Sequence, residues 1–445
     1  MSQRHMVVIG GGYSGTIQAI ELLRQTDARV TLVERADRVA RGAAYSTERP
    51  EHLLNVRAAK MSALADAPAH FADWLSRRRG GEAASFAQRR LYGAYLDELF
   101  AEAAGEAGDR LRIVRGKAVA VTPTMGGEEV RLESGESLQA DLVILSIGNL
   151  RPNVPAAVRA DLPEGVYVAD PWAGDITGGL SGSDQVLLIG TGLTAIDAAL
   201  TLGASGFGGA MRAISRRGMV PRPHDRELGD VPELRERPEG GLAEITRHVR
   251  SNARLIGWQA AVDQLRPHTQ ALWSSAPPER RKRFLRHLRP YWDMHRNRIA
   301  PEISDRIEAM QREGQLLFEA GKLISITPAG MGARVVWRRR GEARSQEFPA
   351  ARIVNCTGPR GDVTRSGGRL LGQLAAAGRI RPDPCRIGID IDADCRVLSA
   401  EGTPATSVYA IGPMTRGALW EIVAVADVRV QANRLARHLA GEAGP

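Results

Sequence analysis

The chain is poor in cysteine. It has three in 445 residues, Cys356, Cys385 and Cys395, and no two stand at C-x-x-C spacing. An odd, scattered set excludes a disulfide framework, a paired-cysteine zinc site and a redox-active dithiol. No metal centre is expected. The sequence also lacks any run of about 18 apolar residues, so no segment is suited to cross a bilayer as a helix. The apolar stretch behind Arg4 and His5 is interrupted by three consecutive glycines and continues with amphipathic spacing. It reads as the first strand of a mature cytoplasmic protein rather than as a secretion signal. Acidic residues fall short of basic ones, 51 against 60, for a net charge of +9. The excess is arginine spread along the chain, not a stripe, so no nucleic-acid partner is expected. Anionic cofactors would create the same demand for positive potential.

What is present begins at Met6. Val7-Val8-Ile9 is short and β-branched, and Ile17, Ile20 and Leu23 then recur at helical spacing. A buried strand hands over to a helix. Between them Gly10, Gly12 and Gly15, with Tyr13 and Ser14, give the G-x-G-x-x-G pattern. The first glycine permits a tight turn, the second lets backbone approach a pyrophosphate, and the third lets helix pack closely on strand. The next strand ends at Glu34, 24 residues after Gly10, followed by Arg35. A carboxylate there accepts hydrogen bonds from the ribose hydroxyls of an adenine dinucleotide. The pattern returns at Gly190, Gly192, Leu193, Thr194 and Ala195, but its next strand ends in Ser215-Arg216-Arg217. Arginines in that place suit a 2′-phosphate. The pair of signatures therefore predicts bound FAD at the first site and NADPH, in preference to NADH, at the second.

Between and beyond these sites the fold class reads as α/β, with two Rossmann-like domains and the FAD domain discontinuous. Residues 1–165 and 350–445 are assigned to the FAD domain. Residues 166–349 are assigned to the NAD(P)H domain, with a helical insertion at 219–312. An irregular stretch from Arg41 to Ser62 follows the ribose-binding acid, where chain would run along an extended cofactor. Aromatic residues from Phe71 to Phe100 recur at helical spacing and read as core. From Leu111 the period drops to two, which predicts an antiparallel meander, and Asp141–Asn149 reads as a parallel strand returning to the first sheet. Small-residue tips at Gly148, Gly358 and Gly412-Pro413 suit close approach to a ligand, and a helix is expected from about Leu419 to Leu439. In the insertion, Trp292, His295 and Arg296 are candidate pocket lining, although Phe284, Leu285, Leu288 and Trp292 also fit the apolar face of a helix.

Several stretches together resemble a known family over essentially the whole chain. They are Gly42-Ala-Ala-Tyr-Ser-Thr with His52-Leu-Leu-Asn55, Ile189-Gly-Thr-Gly-Leu-Thr-Ala-Ile-Asp197, Ser215-Arg-Arg-Gly218 with Pro221-Arg-Pro-His224, and Ala410-Ile-Gly-Pro413 with Leu419-Trp-Glu421-Ile. They are similar to the FAD/NAD(P)-binding proteins related to FAD-dependent urate hydroxylase and bacterial amino-acid N-hydroxylases. The resemblance implies tightly bound FAD with NAD(P)H as reductant, and places the segment from Tyr45 to Lys60 near the flavin. Tyr45, Asn55 and Val121 accordingly join the cofactor candidates, and His52 and Lys60 join the substrate candidates. No catalytic acid or base declares itself. Disulfide reductases share the architecture, but this chain lacks their C-x-x-C and has Pro413 where they carry an aspartate. The implied activity is a monooxygenase that hydroxylates a small polar molecule with molecular oxygen through a flavin hydroperoxide. The alternatives are an NAD(P)H-dependent reductase or dehydrogenase without oxygenation, and a non-enzymatic flavin redox sensor.

Overall fold

The structure is a computed structural model that describes residues 3–227, 231–359, 361–366 and 368–441. Strand β1 (His5–Ile9) runs into helix α1 (Tyr13–Gln25), and β2 (Arg29–Glu34) returns parallel to β1, Met6 facing Val30. Three helices follow: α2 (Gly42–Tyr45), α3 (His70–Arg79) and α4 (Arg89–Ala107). Phe71, Trp74, Tyr92 and Tyr95 from the last two are buried against one another. Strand β3 (Leu111–Arg115) then pairs parallel with β2, Val30 facing Leu111. This corrects its expected place in the meander. As the sheet's edge strand it is partly exposed, Ile113 at 48%, and so mimics the alternation of a solvent-facing antiparallel strand. The antiparallel meander itself is β4 (Ala118–Thr124), β5 (Gly127–Leu132) and β6 (Ser137–Ala140). Strand β7 (Leu142–Leu145) comes back parallel beside β1.

The second sheet starts with β8 (Tyr167–Val168) and β9 (Gln185–Ile189), followed by α5 (Leu193–Ala204) and β10 (Ala210–Ser215). The helical insertion contributes α6 (Leu242–Leu265), α7 (Thr269–Ser274), α8 (Pro278–His287), α9 (Arg289–Arg296) and α10 (Pro301–Arg312). Strand β11 (Leu316–Ala329) lies parallel to β10, then turns into the antiparallel ribbon of β12 (Gly332–Arg339) and β13 (Gln346–Ala350). Strand β14 (Arg352–Asn355) pairs parallel with β9, Arg352 facing Val186. The boundary expected at residue 350 is thus misplaced, because β14 hydrogen-bonds into the second sheet and the chain crosses back only beyond it.

The returning chain forms α11 (Val363–Ser366), α12 (Gly368–Ala376), β15 (Arg396–Leu398), β16 (Pro404–Ala410) and α13 (Val425–Leu439). Strand β16 pairs with β7, completing the order β15-β16-β7-β1-β2-β3, and α13 packs beside α1. The helix expected from Leu419 starts only at Val425. Glu421 has φ of +66°, a left-handed conformation that an α-helix cannot contain. Among the described residues no helix is long and apolar enough to cross a membrane.

Candidate functional site

The two glycine loops are built alike. Gly10 has φ of +103°, and a Cβ on it would lie 2.5 Å from the Ser146 carbonyl oxygen at the tip of β7. Gly190 has φ of +122°, and its Cβ would lie 2.6 Å from the Cys356 carbonyl oxygen at the tip of β14. In each sheet the neighbouring strand presses on the turn, so only glycine fits. Gly15 is tighter still, since a Cβ there would sit 1.8 Å from Gly10 O. Gly12 and Gly192 are the N-caps of α1 and α5, and neither helix has a side-chain cap or an acidic residue in its first turn. The N–H groups of Tyr13, Ser14 and Gly15, and of Leu193 and Thr194, are therefore available to an anion, and the helix dipole favours it.

Glu34 ends β2 beside the first loop. Its carboxylate accepts the Gly11 N–H at 2.6 Å and the Ala36 N–H at 2.8 Å, and keeps lone pairs for ribose hydroxyls. Arg35 is exposed next to it. At the second loop, Ser215 Oγ lies 2.9 Å from Thr191 Oγ1 and accepts the Gly218 N–H, which fixes the turn. The two arginines then part. Arg217 lies over the Tyr291 ring, 5.8 Å from its centroid, and donates to the Arg286 carbonyl. Arg216 stays exposed. Of the two expected arginines, Arg216 is thus exposed and Arg217 is held against the insertion.

The small-residue tips have positive φ at Gly148, Gly358 and Gly412, and the first two face open space. Gly412 abuts Ser14, whose Oγ would be 2.6 Å from an added Cβ, and its N–H donates to Gln431 Oε1. Pro413 follows in a single 3-10 turn, Gly412–Thr415. The carboxyl-terminal segment therefore reaches the first helix N-terminus. Val121 is placed differently: it is buried, its N–H donates to Gln373 Oε1 and its carbonyl accepts from Arg379. Both backbone groups already hold protein partners.

A polar cavity of about 210 Å³ lies where three parts of the chain meet. Tyr45, Asn55 and Lys60 come from the first domain, Arg289, Trp292, Asp293 and Arg296 from the insertion, and Arg416, Trp420 and Glu421 from the returning chain. Glu421 is the hub. Its carboxylate accepts the Trp292 indole N–H at 2.7 Å and the Arg296 guanidinium at 3.2 Å. Arg289 pairs with Asp293 at 3.1 Å, while Lys60 is exposed and has no ion partner among the described residues. Burial raises the Asp293 carboxyl above its ordinary range. Burial, and then Arg289, lower Arg416 to about 10. Burial carries the Tyr45 hydroxyl to about 12, and Tyr45 packs at 4.6 Å on Tyr92.

Lys60, Trp292 and Arg296 share this cavity, but His52 and His295 do not line it. His52 is buried with one ring nitrogen 2.9 Å from Thr47 Oγ1 and the other 2.9 Å from Thr201 Oγ1, tying the loop to α5. His295 stacks on Trp258 at 4.8 Å. His224 Nε2 lies 3.0 Å from the Asn55 carbonyl, so it joins the segment after β10 to the loop that precedes α3. Burial lowers all three histidine pKa values. Sequence reasoning does not single out Asp293, Arg416 or Glu421 as pocket groups. The stretch Leu419–Ile422 draws attention to Glu421, but only the fold brings two donors from α9 onto it. No cluster of metal-ligating side chains exists among the described residues.

Residues 7–150 match a family model described as FAD-NAD(P)-binding. No curated protein matches the chain in sequence. In fold it is similar to ornithine hydroxylase from Pseudomonas aeruginosa, at 16% identity over 99% of both chains and a TM-score of 0.68. It is also similar to the ornithine N-hydroxylase of Kutzneria sp. 744, solved with reduced FAD, NADP+ and L-ornithine, at 16% identity over 98% of this chain and 99% of that one, TM-score 0.63. A third is the FAD-bound cadaverine monooxygenase of Erwinia amylovora, at 14% identity over 99% of this chain and 95% of that one, TM-score 0.67. At such identities the likeness is one of fold: two dinucleotide-binding domains, as in flavoproteins.

Proposed function

We propose that the protein is an FAD-dependent NADPH oxidoreductase, and specifically a monooxygenase that uses molecular oxygen on a small polar molecule. The observation that carries the reading is the pairing of an acid-ended glycine loop with an arginine-ended one, each opening an uncapped helix. The first loop suits FAD on its own geometry: Gly10 and Gly15 leave no room for a Cβ, the α1 N-terminus is uncapped, and Glu34 stands at the ribose position. FAD, when bound, supplies the redox and oxygen chemistry. In this assignment Gly10, Gly12, Tyr13, Ser14 and Gly15 hold the pyrophosphate, and Glu34 holds the ribose. Tyr45, Asn55, Gly148, Gly412 and Pro413 line the flavin end. Gly190, Gly192, Leu193 and Thr194 hold the nicotinamide dinucleotide, and Arg216 meets its 2′-phosphate. The FAD domain comprises β1 to β7 and the chain beyond β14; the NADPH domain comprises β8 to β14 with the insertion.

Lys60, Trp292 and Arg296 orient the substrate. The Glu421 bridge to Trp292 and Arg296 closes the cavity on the insertion side, which excludes water and strengthens every polar contact inside. The neighbours named ornithine hydroxylase and cadaverine monooxygenase support the oxygenase reading over a plain reductase. The three unpaired cysteines suit the reducing cytoplasm as its compartment.

The test is anaerobic titration of the purified holoprotein with NADPH and with NADH, followed by admission of air. Bleaching of a flavin band at lower NADPH than NADH, then recovery through a transient near-ultraviolet band and a hydroxylated product, is the expected result. A protein that binds no FAD on reconstitution would overturn the reading.

A further inference from the structure

Beside the polar cavity the helical insertion and Trp420 border a second, larger, half-open and mainly apolar one. It measures about 370 Å³ and is lined by Leu242, Ile245, Leu265, Leu272, Trp273 and Phe284, with Trp292 and Trp420 at its inner end. Trp273 and Trp420 stack at 4.6 Å, and Phe284 stands edge-on to Trp420 at 5.4 Å. Ligand sites are concave, mostly apolar clefts with a few placed polar groups, and an aromatic-walled cleft of this size fits that description. An apolar cavity of about 150 Å³ holds benzene. This one admits a fused two-ring system.

The walls are tied to the segment that forms the polar cavity. The Trp273 indole N–H donates to Gly417 O at 2.8 Å, and Gln270 donates to Trp420 O. Arg281 lies over Trp273, 5.3 Å from its ring centroid, and donates to Ala276 O and Ser274 O. Trp292 and Trp420 line both cavities, so they form the partition between them.

The outer mouth has a different character. Leu242 and Arg280 also line a groove between α6 and α8 that carries Arg247, Arg250, Arg254 and Arg283. These five arginines are exposed, and none has a carboxylate within ion-pair distance among the described residues. Glu244 and Glu279 are the acids in the groove, Glu244 already caps the Gly241 N–H at the start of α6, and the compartment's own lining carries Glu239 against Arg237, Arg280 and Arg281. A positively charged mouth on an aromatic compartment selects for negative charge on an apolar body.

We propose that this compartment binds a planar aryl carboxylate: its ring among Trp273, Phe284 and Trp420, its carboxylate at Arg280, and its far edge against Trp292. The ligand's position beside the substrate cavity rests on the oxidoreductase reading, since Trp292 and Trp420 are the partition between the two. Its binding does not.

The experiment titrates the holoprotein with 2-naphthoate, following tryptophan fluorescence, because Trp273, Trp292 and Trp420 are three of the seven tryptophans. Calorimetry on the same samples supplies a second readout. Saturable quenching is expected, with uncharged 2-naphthol bound at least tenfold more weakly. Arg280→Gln should reduce naphthoate to the affinity of naphthol and leave naphthol unchanged, while Ser275→Phe at the mouth should weaken both tenfold or more. Absence of saturable binding, equal affinity for the two probes, or insensitivity to Ser275→Phe would overturn the compartment. A protein reduced by NADPH that ignores naphthoate loses this proposal alone. One that binds naphthoate but is never reduced loses the oxidoreductase reading and keeps the compartment.

Discussion

His52 shows how much of a residue's meaning lies in its partners. It is 4% exposed and has a hydroxyl on each side of its ring, from Thr47 and Thr201. A neutral imidazole can donate with one nitrogen and accept with the other, which fits two hydroxyls. Desolvation lowers its pKa below the ordinary 6.5. The folded protein therefore binds this proton less readily than the unfolded chain does. Its contribution to stability is complete above pH 6.5 and shrinks as pH falls below that value, towards the lowered folded pKa. The melting temperature should fall between pH 7.5 and 5.5, and His52→Gln, which bonds through an amide and does not titrate, should show a smaller fall. Equal slopes in paired thermal melts would refute the assignment. The sequence cannot reveal this, because α5 is more than a hundred residues away. By contrast, the roles of Gly10 and Gly15 are legible from spacing alone, since they follow from local sterics.

At the scale of elements, strands were more legible than their sheets. Apolar runs mark β1, β7, β9 and β14 as buried parallel strands, but nothing local says which neighbour each will pair with. Strand β14 joined the second sheet, and edge strand β3 joined the first, because pairing is a long-range choice. The tie between the meander and the returning chain is equally hidden. On β5, Glu128 is buried, paired by both oxygens with Arg379, and accepts the Ser407 hydroxyl from β16 at 2.6 Å. Removing one partner of a buried pair leaves an uncompensated charge, at a cost of roughly 3–5 kcal/mol. Arg379→Met should therefore lower unfolding stability by about that amount, and adding Glu128→Gln should restore part of it. Urea unfolding of the two variants checks this, and a double variant no more stable than the single one would show that the charge is not what matters.

For the whole molecule, the two-cofactor plan is readable because it is written twice in short motifs. The cavity is not, because its walls come from segments near residues 55, 292 and 421. The same long-range folding divides the two arginines after β10. Arg217 is engaged by Tyr291 and the Arg286 carbonyl, whereas Arg216 is exposed at the ribose end of the second loop. If NADPH binds there, Arg216 alone carries the charge that separates it from NADH. A hydrogen bond to a charged group contributes about 1.5–3 kcal/mol, or roughly 10- to 150-fold in affinity. Arg216→Ser should weaken half-saturation by NADPH in anaerobic flavin reduction by that factor and leave NADH within about twofold. Arg217→Ser should change the ratio of the two cofactors little, since its guanidinium is spent on the insertion. If Arg217→Ser abolished the preference while Arg216→Ser left it intact, the bound cofactor would have to draw Arg217 away from Tyr291. The insertion would then shift on binding, and the polar cavity, whose wall includes α9, would shift with it.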